Sequence, residues 1–160
     1  TGSNELPNSG YGDLPPPTTE FLEQLQDFVG EVPEDRDAFI DWTLRKYEAI
    51  SGSLEVFDKK AKAELAELEF ARARNLQAMN NHALAVNISP VSGRALLGGL
   101  DVPTLVVHGT EDPLLPYAHG TAIAETIPGA KLLTIEKMGH DLPRPAWSQI
   151  IKAILQHTTA

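Results

Sequence analysis

Two residues carry side chains suited to proton transfer and stand at a spacing that could bring them together. They are Asp112, in Thr110-Glu111-Asp112-Pro113, and His140, in Met138-Gly139-His140-Asp141, 28 positions further on. A free imidazole titrates near neutrality, so His140 can take up a proton and return it within one reaction cycle. A carboxylate on a tight turn before proline can be held rigid and aimed at that ring, fixing its tautomer and stabilising its protonated form. Gly139 predicts a backbone turn that lets the ring project from its loop. Each residue also has an everyday explanation: Asp before Pro commonly caps a turn, and a loop histidine is commonly just exposed. What decides between these is the frame that carries the two.

That frame runs from Val102 to Pro143. Pro103-Thr104-Leu105-Val106-Val107-His108-Gly109 reads as a strand. Tyr117 to Thr126 reads as a helix, with Pro116 at its start and Pro128-Gly129 past its end. Lys131-Leu132-Leu133-Thr134-Ile135 reads as a second strand. Two strands joined by a helical crossover are parallel and covered on both faces. An acid after the first and a histidine after the second then share the carboxyl edge of the sheet, where ligands of open α/β sheets bind. A closing helix starts at Pro145, and Trp147, Ile150, Ile151, Ile154 and Leu155 predict a stripe packed on the sheet.

The preceding residues are loop and helix. Residues 1–17 are rich in Gly, Asn, Pro and Ser and end in Pro15-Pro16-Pro17, a loop with a polyproline-type extension. Thr18 or Thr19 caps a helix to about Val29, with Phe21, Leu22, Leu25, Phe28 and Val29 as its apolar stripe. Pro33-Glu34-Asp35 opens a second helix, striped by Phe39, Ile40, Leu44 and Tyr47 and ended by Gly52. Asp58 caps a third, predicted to reach about Met79. Its inner face would be Ala61, Leu65, Leu68, Leu76 and Met79, with Asp58–Lys62, Lys60–Glu64 and Glu69–Arg72 pairing outside. Arg94 to Leu97 suggests one short helical turn. Phe39, Trp42 and Met79 could line an apolar pocket, although core packing is the commoner role for such residues.

His108-Gly109-x-x-Asp112-Pro113 and Met138-Gly139-His140, separated by a helix and a strand, resemble the last two strands of an α/β-hydrolase. Leu14-Pro15-Pro16-Pro17 and Gly139-His140-Asp141-Leu142-Pro143 are similar to a branch containing aclacinomycin methylesterase-like esterases and cofactor-free haloperoxidase-like hydrolases. The resemblance implies an α/β protein, the C-terminal half of that fold. Residues 1–17 would be a linker, 18–100 a helical cap, and 101–160 the α/β segment carrying acid and base. It implies a Ser-His-Asp mechanism in which Asp112 orients His140, acting on a small-molecule substrate, a hydrophobic carboxylic ester, with no cofactor.

In that family the nucleophile comes first, in Gly-x-Ser-x-Gly at a strand-to-helix turn. None of Ser3, Ser9, Ser51, Ser53, Ser89, Ser92 or Ser148 stands in such a setting. Ser53 and Ser92, beside glycines, come nearest. The expectation is that no nucleophile lies in this chain, which alone would be inactive. Its partner would be the missing N-terminal half of the hydrolase, or a second copy through self-association. The competing expectation is a non-catalytic assembly module that keeps the fold fragment.

Composition excludes other classes. Net charge is −9 with no basic face, so nucleic-acid binding is not expected. No apolar run approaches a membrane span, and the N-terminus shows no signal-peptide pattern, which predicts a cytoplasmic protein without membrane contact. There is no cysteine, and His82, His119 and His157 have no carboxylate or histidine at metal spacing, so no metal is expected. His108 reads as a packed histidine, not a base. Glu111 and Asp112, as sequence neighbours, should point apart.

Overall fold

A computed structural model describes residues 14–28, 30–81 and 96–159. Ser3, Ser9, Val29, His82, Ser89, Ser92 and Arg94, and most of the 1–17 segment, lie outside the described residues. Among the described residues no helix is long and apolar enough to cross a membrane.

The β-branched and leucine runs form two strands, β1 (Leu105–Gly109) and β2 (Lys131–Ile135). They pair in parallel, with Leu105 opposite Lys131 and Gly109 opposite Ile135. This register sets the ends of the two strands level, so the loops that follow them emerge side by side. Two helices flank the pair, here numbered after three that precede it in the chain: α4 (Ala118–Thr126) is the crossover and α5 (Arg144–Thr158) closes the chain. Ile135, Met138, Ala146 and Ile150 make the core here, with Leu54, Val107 and Leu133 packed against it.

α5 departs from expectation. Of its apolar stripe only Ile150, joined by Ala146, is buried. Trp147, Ile151, Ile154 and Leu155 are 49, 54, 46 and 59% exposed. Two strands offer area for one row of a helix, so the rest of the stripe finds no cover among the described residues.

The helical segment begins with α1 (Thr19–Leu25), capped by the Thr18 hydroxyl, which accepts from the Phe21 N–H at 3.2 Å. A 3-10 turn at Gln26–Phe28 ends it sooner than the stripe suggested. α2 (Arg36–Ile50) is capped by Asp35, whose carboxylate accepts from Ala38 N–H at 3.0 Å. α3 (Lys59–Arg72) is capped in the same way by Asp58 toward Ala61 N–H at 3.0 Å.

α3 does not reach Met79. Asn75 starts a separate 3-10 turn, Leu76–Asn80, by accepting from Gln77 N–H. The Gln77 amide then clasps the Val32 backbone, accepting from its N–H at 3.0 Å and donating to its carbonyl at 2.8 Å. A continuous helix would give up both bonds. The inner face is also rotated from the one expected. Leu65 and Leu68 are exposed, while Ala66 is fully buried. Lys62 and Glu69, expected on the outside, turn inward to Asp141 and to the Tyr47 hydroxyl. Burial first, then the Glu69 carboxylate, holds that phenol protonated well above its usual range.

Val32, Phe39 and Trp42 form the second core, with Phe28, Phe70, Leu76 and Met79 against it. Phe39 and Phe70 rings lie 5.3 Å apart, and Phe28 meets Trp42 edge-on at 6.3 Å. Phe39, Trp42 and Met79 therefore pack against one another and their neighbours, the commoner role for such residues. Phe39 is fully buried. Phe39→Ala is expected to lower stability by about 3–5 kcal/mol, measured as the midpoint shift in urea followed by Trp42 fluorescence.

Candidate active site

Asp112 sits in the loop that follows β1, closed by its own side chain. One carboxylate oxygen, Oδ1, accepts the N–H groups of Leu114 at 3.0 Å and Leu115 at 2.8 Å. The other, Oδ2, stands 2.7 Å from His140 Nδ1. A carboxylate only accepts, so Nδ1 carries the proton and Nε2 of the neutral ring keeps its lone pair. The Asp112 side chain is 4% exposed and that of His140 is 39% exposed. The acid is thus fixed and dry, and the imidazole reaches an apolar groove of about 350 Å³ bordered by Val107, Leu115, Ile123 and Leu142.

Electrostatics follow from this geometry. Burial alone would push the Asp112 carboxyl up. The hydrogen bond from His140, the Leu115 N–H, and the charges of His140 and His108 outweigh it and hold the group below its usual value. The hydrogen bond to Asp112 pushes His140 up, against its burial, with the charges of Asp112 and Asp141 adding in the same direction.

His108 is half-buried. Its Nε2 donates to the Leu115 carbonyl at 2.7 Å and lies 3.4 Å from Asp112 Oδ2. It braces the acid's turn from within. Gly120 makes this possible, because a Cβ there would meet His108 Nδ1 at 2.5 Å. The segment after Leu14 braces the same turn from outside. Thr18 N–H donates to Pro113 O at 2.8 Å, and buried His119 donates from Nε2 to Pro15 O at 2.8 Å.

The loops carrying the two residues are zipped together beyond the strands. Thr110 N–H donates to Ile135 O at 3.1 Å and Glu111 N–H to Met138 O at 3.0 Å, while Lys137 N–H donates to the Thr110 hydroxyl at 2.8 Å. Lys137 takes the left-handed conformation, at φ 63°. Gly139 does not, which corrects the expected reason for a glycine there. What Gly139 supplies is space: a Cβ would lie 2.3 Å from both Gly52 N and Ile50 O.

The other candidates lie apart from this pair. Glu111 points away from Asp112 and accepts from the Ser53 N–H at 2.7 Å and the Ser53 hydroxyl at 3.0 Å. Ser51 donates to Tyr47 O at 2.8 Å. Neither serine stands at a strand-to-helix turn. Among the described residues no group of three His, Cys, Asp or Glu side chains could hold a metal ion. Sequence reasoning overlooked Lys62, whose ammonium lies 3.4 Å from Asp141 beside the histidine, and the use of Gly52. Gly52 carries a signal, a glycine between two serines, but sequence alone gives it as a helix end and as the neighbour of Ser53, not as the site of a backbone crossing.

A family model described as TAP-like protein, one of the α/β-hydrolases, matches residues 79–159 and so takes in both strands and both residues of the pair. The chain belongs to that family. Rhodomycin D methylesterase DnrP of Streptomyces peucetius is 28% identical over 147 residues, which are 92% of this chain and 49% of that protein. The chain therefore spans about half the length of the curated relatives it matches. Esterase RhEst1 from Rhodococcus sp. ECU1013 superposes with a TM-score of 0.61 at 20% identity, over 91% of this chain and 49% of that one. An esterase from Exiguobacterium antarcticum does so at 0.60 and 17%, over 88% and 46%. These likenesses show the fold: α1–α3, β1, α4, β2 and α5 form part of an α/β-hydrolase.

Proposed function

We propose that this chain is the C-terminal portion of a serine-type hydrolase, acting on a hydrophobic carboxylic ester with Asp112 as the orienting acid and His140 as the general base. The observation that carries the reading is the 2.7 Å contact between Asp112 Oδ2 and His140 Nδ1, with the other carboxylate oxygen spent on two backbone N–H groups. The acid cannot swing away, and the lone pair of Nε2 is left for a hydroxyl. Residues 18–100 act as a cap over the site. The apolar groove beside His140 suits the acyl or alcohol part of an ester, and the relative named as a methylesterase supports this class.

The serine comes from residues outside this chain. Its hydroxyl gives its proton to His140 Nε2 as the oxygen adds to the ester carbonyl. The tetrahedral intermediate collapses, the alcohol leaves with the proton from Nε2, and an acyl-serine remains. Water then gives its proton to Nε2 and adds to the acyl carbonyl. Collapse releases the acid and returns the proton to the serine.

A second reading, an assembly module without catalysis, is favoured by the face of α5 left uncovered, and the sheet of two strands formed, among the described residues. Hydrolysis of p-nitrophenyl esters separates the two. The expected result is no turnover by the chain alone and turnover by the protein that also carries Gly-x-Ser-x-Gly. Turnover by the chain alone, lost in His140→Ala, would refute the placing of the nucleophile outside it. No turnover by either leaves the module. Sedimentation of the chain alone should find self-association; a dilute, compact monomer argues against its need for a partner.

A further inference from the structure

His140 is held by its ring and by its backbone, and the two supports come from different parts of the molecule. The ring is held by Asp112. The backbone around it is held by the helical segment, through contacts on three successive residues. Gly139 crosses Gly52 so closely that neither tolerates a side chain: a Cβ on Gly52 would lie 2.4 Å from Gly139 N and 2.2 Å from Lys137 O. His140 N–H donates to Ile50 O, the last carbonyl of α2, at 2.8 Å. Asp141 pairs with Lys62 of α3 at 3.4 Å, with 13% and 20% of the two side chains exposed. The crossing is locked on both flanks. Leu54 N–H donates to Lys137 O at 2.9 Å, and Ser53 bonds Glu111, the neighbour of the acid. Lys62 is itself aimed by lying 5.6 Å over the Tyr47 ring of α2.

We propose that the Ile50–Leu54 crossing and the Lys62–Asp141 pair are the mounting of the base, with Gly52 and Lys62 as positioning residues that set the height and direction of the His140 ring toward Asp112. The inference deepens the proposed function and rests on it for the word base. The geometric claim stands on the pair alone. The helical segment and the histidine loop move as one unit, so displacement of the former withdraws the imidazole from its acid. A misplacement of about 1 Å in such a pair costs up to about 100-fold in rate.

The test reads the pair directly. In the ¹H–¹⁵N spectrum of this chain, the downfield Nδ1–H signal of His140 and its titration midpoint report the bond to Asp112. Gly52→Ala and Lys62→Met are expected to weaken or abolish that signal and to lower the midpoint toward that of a free histidine. Lys62→Arg is expected to restore both, and Val56→Ala, at a site 93% exposed, to change neither. In the protein carrying the serine, Gly52→Ala is expected to lower kcat about 10- to 100-fold at a nearly constant KM. A folded Gly52→Ala chain with an unchanged signal and midpoint overturns the proposal. Where that variant does not fold, an unchanged Lys62→Met chain overturns it. Because the spectrum needs neither serine nor ester, a failure of the catalytic reading leaves this result distinguishable.

Discussion

Replacing His140 by alanine, in the protein that carries the nucleophile, is expected to lower kcat/KM for p-nitrophenyl esters by about 10⁴- to 10⁶-fold while leaving the circular dichroism spectrum unchanged. The size follows from the lack of a substitute. His108 is the other imidazole near Asp112, but its Nε2 proton is given to Leu115 O and its ring fills the space that Gly120 leaves. It cannot turn to a substrate without dismantling the turn that holds the acid. The preserved fold follows from exposure and bonding. The His140 side chain is 39% exposed, so its loss opens no sealed cavity. Asp112 keeps the N–H groups of Leu114 and Leu115 on its other oxygen. The backbone anchor of residue 140 to Ile50 O does not depend on the side chain. Wild-type kcat/KM in His140→Ala would show that the role assigned to this histidine is wrong.

The parts of this site that could be read from sequence are those specified locally. Leu105-Val106-Val107 and Leu132-Leu133 are strand-type runs, a helix bounded by Pro116 and by Pro128-Gly129 lies between them, and the parallel register brings Asp112 and His140 to one edge. Asp58, Asp35 and Thr18 each cap a helix through a residue three positions on, which is also local. The failures share a cause of the opposite kind. α3 stops at Arg72 because Gln77 bonds Val32, 45 residues away. Its inward face is set by Tyr47 and Asp141, which draw in Glu69 and Lys62 and turn Leu65 and Leu68 out to solvent. No periodicity within a helix announces a polar partner 79 residues further along. Gly139 was rightly singled out for the wrong reason, since its constraint is the backbone of Gly52 and not its own torsion. The stripe on α5 was legible as apolar, but amphipathicity does not say what a face is covered by.

Asp112→Asn separates the two duties of the acid, and its expected effect is of similar size. The amide is nearly the same shape, and its oxygen can still accept from Leu114 and Leu115. The group facing His140 Nδ1 is then an NH₂, a donor, which favours the ring with its proton on Nε2 and no lone pair for the nucleophile. A loss of about 10⁴-fold in kcat is expected on that ground, as when the triad acid of a serine protease is amidated. The pH profile carries the sign. In the native pair His140 titrates above its ordinary 6.5, and the base works only when deprotonated, so the acid limb of kcat/KM lies to the alkaline side of 6.5. In Asp112→Asn the hydrogen bond and the charge of Asp112 are gone and only the Asp141 charge still raises the ring, so the limb moves acidward. Stability moves consistently. The raised histidine contributes fully below 6.5, and its contribution is lost as pH rises through its folded value. The lowered carboxyl contributes fully above 3.8, and that is lost as pH falls through its depressed value. The pair therefore supports the fold most between about 3.8 and 6.5, and thermal melts of Asp112→Asn across pH should be flatter at both ends of that interval. An acid limb and a melting profile that match the wild type would mean that the 2.7 Å contact does not govern the protonation of His140.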